Sequence, residues 1–449
     1  MRILLVTPIF PPFNTAASVR LYSFARCWSQ AGHSVDVLTI PKLPQWCGLD
    51  LPFDGFRVIE VPFRPPMAGR FLWRRPAAAA QASSAHSTPA PSRRGFKARL
   101  ADWLKRKRVS AGIYYWNRKP DYTDGWVKPA VRWCRRQPPW DLVVSSFGPY
   151  TSHRVAHAIR RVGHASRWVA DYRDLWNESH LFRGLFPFTL QERYLERRWL
   201  ATTDAIVTVS EGLASVLRGK ASAPVSVIMN GYDEEQLAGV SPERLLPEEG
   251  PARLAYTGVI YPPDQNPQPL LSAMNTLGQQ EPGAADRLRL ITAGATEDRW
   301  KHQVELAGAG QMWQSLGSIS HQDALRLQRD SDALLLFDWS GKYAGVLTTK
   351  LFEYLRGTRP ILVMGCDGES ELAGLVRRCN RGLVLGNDVG AIHDVLRRLL
   401  RGEPLLEGSP NESLIASLSR RQQAMRMLEH VMLPLVMSES QGSSAESGS

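Results

Sequence analysis

Met1-Arg-Ile-Leu-Leu-Val-Thr-Pro8 opens the chain with an apolar run, Ile3 to Val6, that stops two residues before a proline. The run reads as a buried strand, and Pro8 to Ala17 as a loop. From Ala17 to Ala31 the apolar residues Val19, Leu21, Phe24, Ala25 and Trp28 follow helical spacing, and Gly32 ends the helix. Ser34–Ile40 then alternates as a second strand. Strand, helix and strand in so short a span make a βαβ unit, and therefore a parallel sheet with helices on its faces.

The same pattern resumes further along. Asp141–Ser145, Trp168–Asp171 and Ala205–Val209 read as strands, with helices at Tyr150–Val162 and Gln191–Thr202. A second series begins near residue 252. Its expected strands are Arg253–Thr257, Leu288–Ala293, Met312–Gly317, Ala333–Phe337 and Pro360–Met364, alternating with helices through Ser370–Cys379. The expected organisation is α/β throughout. A Rossmann-like domain spans 1–225, a linker 226–250, and a second Rossmann-like domain 251–410. A long helical pattern at 411–436 would cross back to the first domain, and 437–449 is a frayed polar tail. Residues 64–125 interrupt the first domain with an insert whose Ala/Ser/Pro-rich part, Ala77–Pro91, has the composition of a disordered segment.

Of the 449 residues, 43% are hydrophobic and 22% charged, which suits globular domains and excludes fibrous or wholly disordered classes. No apolar run approaches the ~20 residues that cross a bilayer, and the opening strand is too short for a secretory signal. Cys27, Cys47, Cys134, Cys366 and Cys379 are scattered, odd in number and without a C-x-x-C pair. They indicate neither a disulfide framework nor a zinc site, and point to a reducing cytoplasm. Charge is unevenly spread: residues 1–225 hold 34 Lys/Arg against 15 Asp/Glu, and residues 226–449 hold 21 against 28. The basic first half is suited to an anionic partner. Within the insert, Phe96, Leu100, Trp103 and Leu104 share one helical face amid the eight basic residues of 93–108. Two readings fit it equally: an in-plane helix on an anionic membrane surface, and a solvated charged helix or loop.

Open α/β sheets bind ligands at the carboxyl ends of their strands. That rule selects Pro8–Ala17, Ser146–Tyr150, the segment after Asp171 and Ser210–Gly212 in the first half. In the second it selects Gly258–Asn266, Gly294, Gly317–Ser320 and Asp338–Thr349, and it anticipates a deep cleft between two opposed domains. In Gly345-Val-Leu-Thr-Thr-Lys-Leu-Phe-Glu-Tyr-Leu a loop runs into a helix whose start carries Thr348, Thr349 and Lys350. Free N–H groups, the helix dipole and an ammonium group form an anion cradle, with Glu353 one turn on where it could accept bonds from a ribose. An ordinary capped surface helix fits the same stretch. Asp171, Arg173, Asp174 and Glu178 crowd one strand end, as at a reactive site or a local ion-pair network. Asn230-Gly231 reads as a hinge turn. His153 and His157 stand four apart on a helix, but no H-E-x-x-H or third ligand accompanies them, so no metal site is expected. G-x-G-x-x-G after a first strand, the Walker loop, G-x-S-x-G and RNA-binding signatures are all missing, which argues against an oxidoreductase, a P-loop enzyme, a serine hydrolase and nucleic-acid binding.

Four stretches together resemble the family 4 glycosyltransferases, retaining enzymes of the GT-B fold. They are the opening βαβ through Ala31-Gly-His-Ser-Val-Asp-Val-Leu-Thr, Thr203-Asp-Ala-Ile-Val-Thr-Val-Ser-Glu-Gly-Leu, Val227-Ile-Met-Asn-Gly-Tyr-Asp, and Thr348-Thr-Lys-Leu-Phe-Glu-Tyr-Leu-Arg-Gly-Thr-Arg-Pro-Ile-Leu. The resemblance covers roughly 1–60 and 140–430, and Asp171-Tyr-Arg-Asp-Leu-Trp is similar to the bacterial polysaccharide branch. It implies sugar transfer from a nucleotide-diphosphate sugar, with no separate cofactor and no metal. The acceptor would be a saccharide or a polyprenyl-diphosphate-linked glycan in exopolysaccharide, capsule or lipopolysaccharide synthesis, at the inner face of a membrane. It further implies donor binding by Gly258, Gly317, Ile319, Thr348, Thr349, Lys350 and Glu353, acceptor binding by Asn14, Thr15, Ala16 and Ser146, and catalytic roles for Asp171, Arg173 and Asp174. The chain departs from the family where the first Glu of E-x7-E is Gly345, where Asp171 matches the usual His, and where Thr257–Asn266 lacks the usual Arg and Lys. A non-catalytic partner in a glycan-assembly complex and a tailoring enzyme for a soluble metabolite are the alternative readings.

Overall fold

The structure is a computed structural model that describes residues 1–42, 48–66, 111–114, 117–179, 182–339, 345–366 and 368–437. The chain divides into two compact units: the described residues of 1–230 with 420–437, and Gly231–Ser419. The insert segments Ala77–Pro91 and 93–108, together with the tail beyond Met437, lie outside the described residues.

The first unit is built on seven strands: β1 (Arg2–Val6), β2 (Ser34–Thr39), β3 (Arg57–Glu60), β4 (Trp140–Ser146), β5 (Ala165–Tyr172), β6 (Ala205–Thr208) and β7 (Val225–Val227). They lie in the order β3-β2-β1-β4-β5-β6-β7, and every pairing is parallel. The unbroken apolar run of β1 has a direct cause. Leu4 and Val6 enter one core with Trp126, Trp140 and Trp168, while Ile3 and Leu5 enter another with Leu21, Phe24 and Trp28. Both faces of the strand are buried, so neither can be polar. The second core is completed by the chain's last helical segment: Ala424, Met427, Leu428, Val431 and Met432 pack into it, and the Trp28 indole N–H donates to the Ala424 carbonyl at 3.0 Å.

The second unit has six strands: β8 (Ala252–Thr257), β9 (Leu288–Ala293), β10 (Trp313–Ser315), β11 (Ala333–Phe337), β12 (Ile361–Met364) and β13 (Gly382–Gly386). Their order is β10-β9-β8-β11-β12-β13, all parallel. Each sheet therefore runs outward both ways from its first strand and reverses direction once, at β1/β4 and at β8/β11. Such a switch point opens a crevice at the carboxyl ends of the strands, where ligands of doubly wound sheets bind.

The connections carry secondary structure of their own, within the 226–250 linker and at 411–436. Val225–Val227 pairs with Ile206–Thr208 as an edge strand, and Glu234–Ala238 is a short helix started by the Asp233 side chain. The 411–436 helix is not continuous. It is divided into Glu412–Ser417 and Arg420–Met427, followed by a π-helical turn at Leu428–Met432. The break has a partner, because the Tyr232 N–H donates to the Leu418 carbonyl at 3.2 Å and Tyr232 bridges Ser419. Here the two strands of chain that join the units run side by side, with Gly231 in the turn at φ +72°.

Candidate functional site

In the second unit three strand ends are tied into one floor. The Gly258 N–H donates to the Ala293 carbonyl at 2.7 Å, and the Gly294 N–H to the Gly317 carbonyl at 2.7 Å. Gly294 sits at φ +145°, and a Cβ there would lie 2.4 Å from the Gly258 carbonyl oxygen, so only glycine permits this approach. Gly258 serves a second neighbour. At φ +106° its missing Cβ leaves room for the Lys350 ammonium, which would otherwise be 3.3 Å away.

Lys350 is in the first turn of the helix Thr349–Arg356, with its Nζ 3.8 Å from the centroid of the Tyr256 ring. Among the described residues no carboxylate comes within ion-pair distance of it. Burial pushes the ammonium down to about 7, against a partial pull upward from Glu353. An ammonium group held over an aromatic face without a counter-ion is poised to receive an anion. The helix start beside it is uncapped: Thr348 is extended at φ −77°, ψ 148°, its side chain makes no capping bond, and its Oγ1 is buried without a hydrogen-bond partner. The first-turn N–H groups, the Thr348 hydroxyl and Lys350 thus form one electropositive cradle.

Glu353 follows one turn later, its side chain 12% exposed. Two residues without any sequence signal hold it. Gln328 Nε2 lies 3.5 Å from Glu353 Oε2 and donates to Thr257 Oγ1 at 3.2 Å, while His321 Nε2 lies 3.7 Å from Glu353 Oε1. Thr257 in turn meets the Tyr354 hydroxyl at 3.0 Å. Gly317, at φ +61°, and the half-buried Ile319 lead into the helix that begins at His321. The structure therefore gathers Gly258, Gly317, Thr348, Thr349, Lys350 and Glu353 around the ends of β8 to β11. A cavity of about 660 Å³ in this unit includes Glu353 and Gln328 but extends toward Leu334 and Arg359, at the amino ends of β11 and β12. It shares Glu353 with the cradle but is lined by neither Thr348 nor Lys350, and its Arg329, Arg356 and Arg359 are matched by Glu234, Glu353 and Glu412.

The first-unit candidates are arranged differently. Asp171, near the end of β5, is fully buried. Arg20 Nη2 donates to its Oδ1 at 3.3 Å and Ser146 Oγ donates to its Oδ2 at 2.7 Å, so both oxygens are already engaged. Arg20 also donates to the Ile228 carbonyl at 2.8 Å and the Met229 carbonyl at 2.6 Å, and desolvation lowers its pKa against the raising effect of Asp171. Arg173 Nε donates to Ser146 Oγ at 3.0 Å and Nη2 to the Phe147 and Gly148 carbonyls. The arrangement is an internal network that shapes the strand ends. Asp174, by contrast, is exposed, and is the carboxylate of the three named residues that a ligand can reach. Ser146 is buried beneath the surface, and the Thr15 hydroxyl is the N-cap of the helix Ala16–Gln30, accepting from the Ser18 N–H at 3.1 Å. Asn14 and Ala16 are exposed at that helix start. Arg20 could have been noticed as a charge lodged four residues before Phe24 on an otherwise apolar face.

The histidine pair is not a joint site. His153 Nδ1 meets Ser145 Oγ at 2.8 Å and His157 Nδ1 meets Thr202 Oγ1 at 3.0 Å, and burial lowers His153 to about 3. Among the described residues no group of three or more His, Cys, Asp or Glu is placed to hold a metal. Nor is any helix among them long and apolar enough to cross a membrane.

No protein-family model matches the chain, and no curated protein matches it in sequence. Solved structures match it in fold. Sucrose-phosphate synthase of Thermosynechococcus elongatus superposes with a TM-score of 0.57 at 14% identity, over 99% of this chain and 100% of that one. A glycosyltransferase of Rickettsia africae gives 0.53 at 14% identity, over 95% and 97%. An E. coli structure described as trehalose-6-phosphate bound with UDP-2-fluoro glucose gives 0.53 at 12% identity, over 98% of each. At these identities the likeness establishes the fold: the chain has the GT-B architecture of two Rossmann-like units.

Proposed function

We propose that the protein is a retaining glycosyltransferase that takes a sugar from a nucleotide-diphosphate donor. The observation that carries this reading is the unpaired Lys350 at an uncapped helix start, one turn from a carboxylate. A nucleoside diphosphate offers two features at matching places: an anionic diphosphate for the cradle, and ribose hydroxyls that Glu353 can accept. As the glycosidic bond breaks, the anomeric carbon becomes oxocarbenium-like and negative charge grows on the leaving diphosphate. Lys350, the Thr348 hydroxyl and the helix N–H groups meet that charge where it develops, which lowers the barrier without rearrangement. Gly317 and Ile319 stand where an apolar contact with the base belongs. Asp174, with Arg173 behind it, is the group offered to the acceptor side, and Asn14 and Ala16 line a second loop there. The UDP sugar of the E. coli structure of this fold supports the donor class.

The finer reading is an acceptor that is a saccharide or a polyprenyl-diphosphate-linked glycan, in bacterial exopolysaccharide, capsule or lipopolysaccharide assembly. The excess of basic residues in 1–225 supports an anionic, lipid-linked substrate. A second reading has its own observation. Position 345, where the family resemblance calls for a carboxylate, is Gly345 at φ +84°, which would suit a nucleotide-binding but non-catalytic partner. Incubation with a panel of UDP-, GDP-, ADP- and TDP-sugars, followed by detection of the released nucleoside diphosphate, separates the two. Release from one donor, abolished in Glu353→Ala, supports transfer. Tight nucleotide binding with no release from any donor, with or without a prenyl-diphosphate glycan present, supports the non-catalytic partner.

A further inference from the structure

The helix Phe188–Leu200 turns its acids inward and leaves its arginines outside. Its two acids face inward. Glu192 is fully buried, accepting from Arg118 Nη1 at 3.1 Å and the Lys119 N–H at 2.6 Å. Glu196, also buried, accepts from Asn177 Nδ2 at 2.7 Å and Lys220 Nζ at 3.3 Å. Trp199 and Leu200 also face the core, yet the outward face keeps apolar residues among its arginines: Leu190 is 56% exposed and Tyr194 60%, and the approach to the helix adds Leu185 at 45% and Phe186 at 74%. Leu190 and Tyr194 stand four apart on one face of the helix, and Leu185 and Phe186 precede its first turn, so the four are close together in the chain. Ten large hydrophobic residues are exposed among the described residues, and four of them fall in this one stretch of 185–194. Single exposed apolar residues need no explanation, but a contiguous stripe does.

The charges beside the stripe indicate what it meets. Arg183, Arg193, Arg197 and Arg198 are all exposed, and among the described residues none of them joins an ion pair. No exposed acid lies between positions 183 and 198. Apolar side chains flanked by unpaired arginines complement a surface that is oily below and anionic above. We infer that this face, from Arg183 to Arg198, docks the protein on an anionic lipid bilayer. Phe186, Leu190 and Tyr194 enter the headgroup region while the arginines meet lipid phosphates. The stripe is continuous in sequence with the loop that carries Arg173 and Asp174, so a lipid-borne substrate would arrive at the same edge of the first unit.

The inference is independent of sugar transfer, since vesicle binding is measured without nucleotide. The full chain is sedimented with vesicles of phosphatidylcholine alone and of phosphatidylcholine mixed with phosphatidylglycerol. The expected result is binding to the mixed vesicles, weakened by about tenfold in the pair Phe186→Ser/Leu190→Ser and by a similar factor in Arg193→Gln/Arg197→Gln. Both pairs are on the surface and should keep the wild-type unfolding temperature. Three results would overturn it: no binding of the wild type to mixed vesicles, unchanged binding of both variants, or binding lost only when Lys105, Arg106, Lys107 and Arg108 are changed to Gln. Concentration-dependent self-association in solution, removed by Phe186→Ser/Leu190→Ser without change in vesicle binding, would assign the stripe to a protein contact and also overturn it.

Discussion

Replacing Lys350 with methionine should make the protein more stable and at the same time disable its anion cradle. The Lys350 ammonium, held in the fold at about 7 against an ordinary 10.5, is penalised because burial strips part of its water. That displacement is equivalent to about 5 kcal/mol as a ceiling. Lys350 is only partly buried, so water screens some of the cost and about 2 kcal/mol is the working minimum. Methionine has similar length and no charge, and fits against Tyr256 and Gly258 without the penalty. The sign against pH follows. Below pH 7 both the folded and unfolded chains carry the proton, and the folded state bears the full cost. Between 7 and 10.5 the unfolded chain still binds the proton while the folded one does not, and the cost shrinks as pH rises. Thermal unfolding of wild type and Lys350→Met at pH 6 and pH 9.5 tests this. For a unit of this size about 2 kcal/mol raises Tm by about 4–8 °C at pH 6, with a clearly smaller gain at pH 9.5. A lower Tm in Lys350→Met, or an equal gain at both pH values, would show that the buried ammonium carries no such cost.

The same group makes nucleoside-diphosphate affinity depend on pH: binding the anion favours the charged ammonium, so titration calorimetry should find affinity highest below pH 7 and falling as pH rises through it. Gly294→Ala should cost about 2–4 kcal/mol and lower the unfolding temperature of the second unit, because the new Cβ meets the Gly258 carbonyl at 2.4 Å in a left-handed backbone. Arg20→Leu should destabilise by about 3–5 kcal/mol by leaving Asp171 buried and unpaired, and Arg20→Leu/Asp171→Leu should recover part of that loss in chemical denaturation. If the double variant were worse than the sum of the singles, the pair would not be coupled as described.

What could be read from the sequence follows the depth of burial. Central strands such as β1 and β11 present unbroken apolar runs because both their faces are buried, and each was legible. The strands β3, β7 and β13 lie at sheet edges with half-buried or exposed residues throughout, so Arg57-Val-Ile-Glu, Val225-Ser-Val and Gly382-Leu-Val-Leu-Gly carry no comparable signal. The grouping of Thr348, Thr349, Lys350 and Glu353 was legible because they are neighbours at one helix start. Its supports were not. Gln328 reaches Glu353 from another helix, and His321 reaches it from the start of that same helix. In the first unit, likewise, Arg20 reaches Asp171 across 151 residues of sequence. The crowding of charges near Asp171 pointed to chemistry, yet the fold spends most of that charge on an internal network. Only tertiary contact distinguishes the buried Asp171 from the exposed Asp174 three residues later.

The central claim is that the second unit holds a nucleoside diphosphate through Lys350 and Glu353. Thermal unfolding with UDP, GDP, ADP, TDP and CMP, in wild type and in Glu353→Ala, tests it most directly. A diphosphate present at about 100 times its dissociation constant adds about 2.7 kcal/mol to the stability of the unit that binds it. One diphosphate should raise Tm markedly, CMP should raise it little, and the rise should be lost in Glu353→Ala. No rise with any of the five, or a rise of equal size in Glu353→Ala, would contradict it.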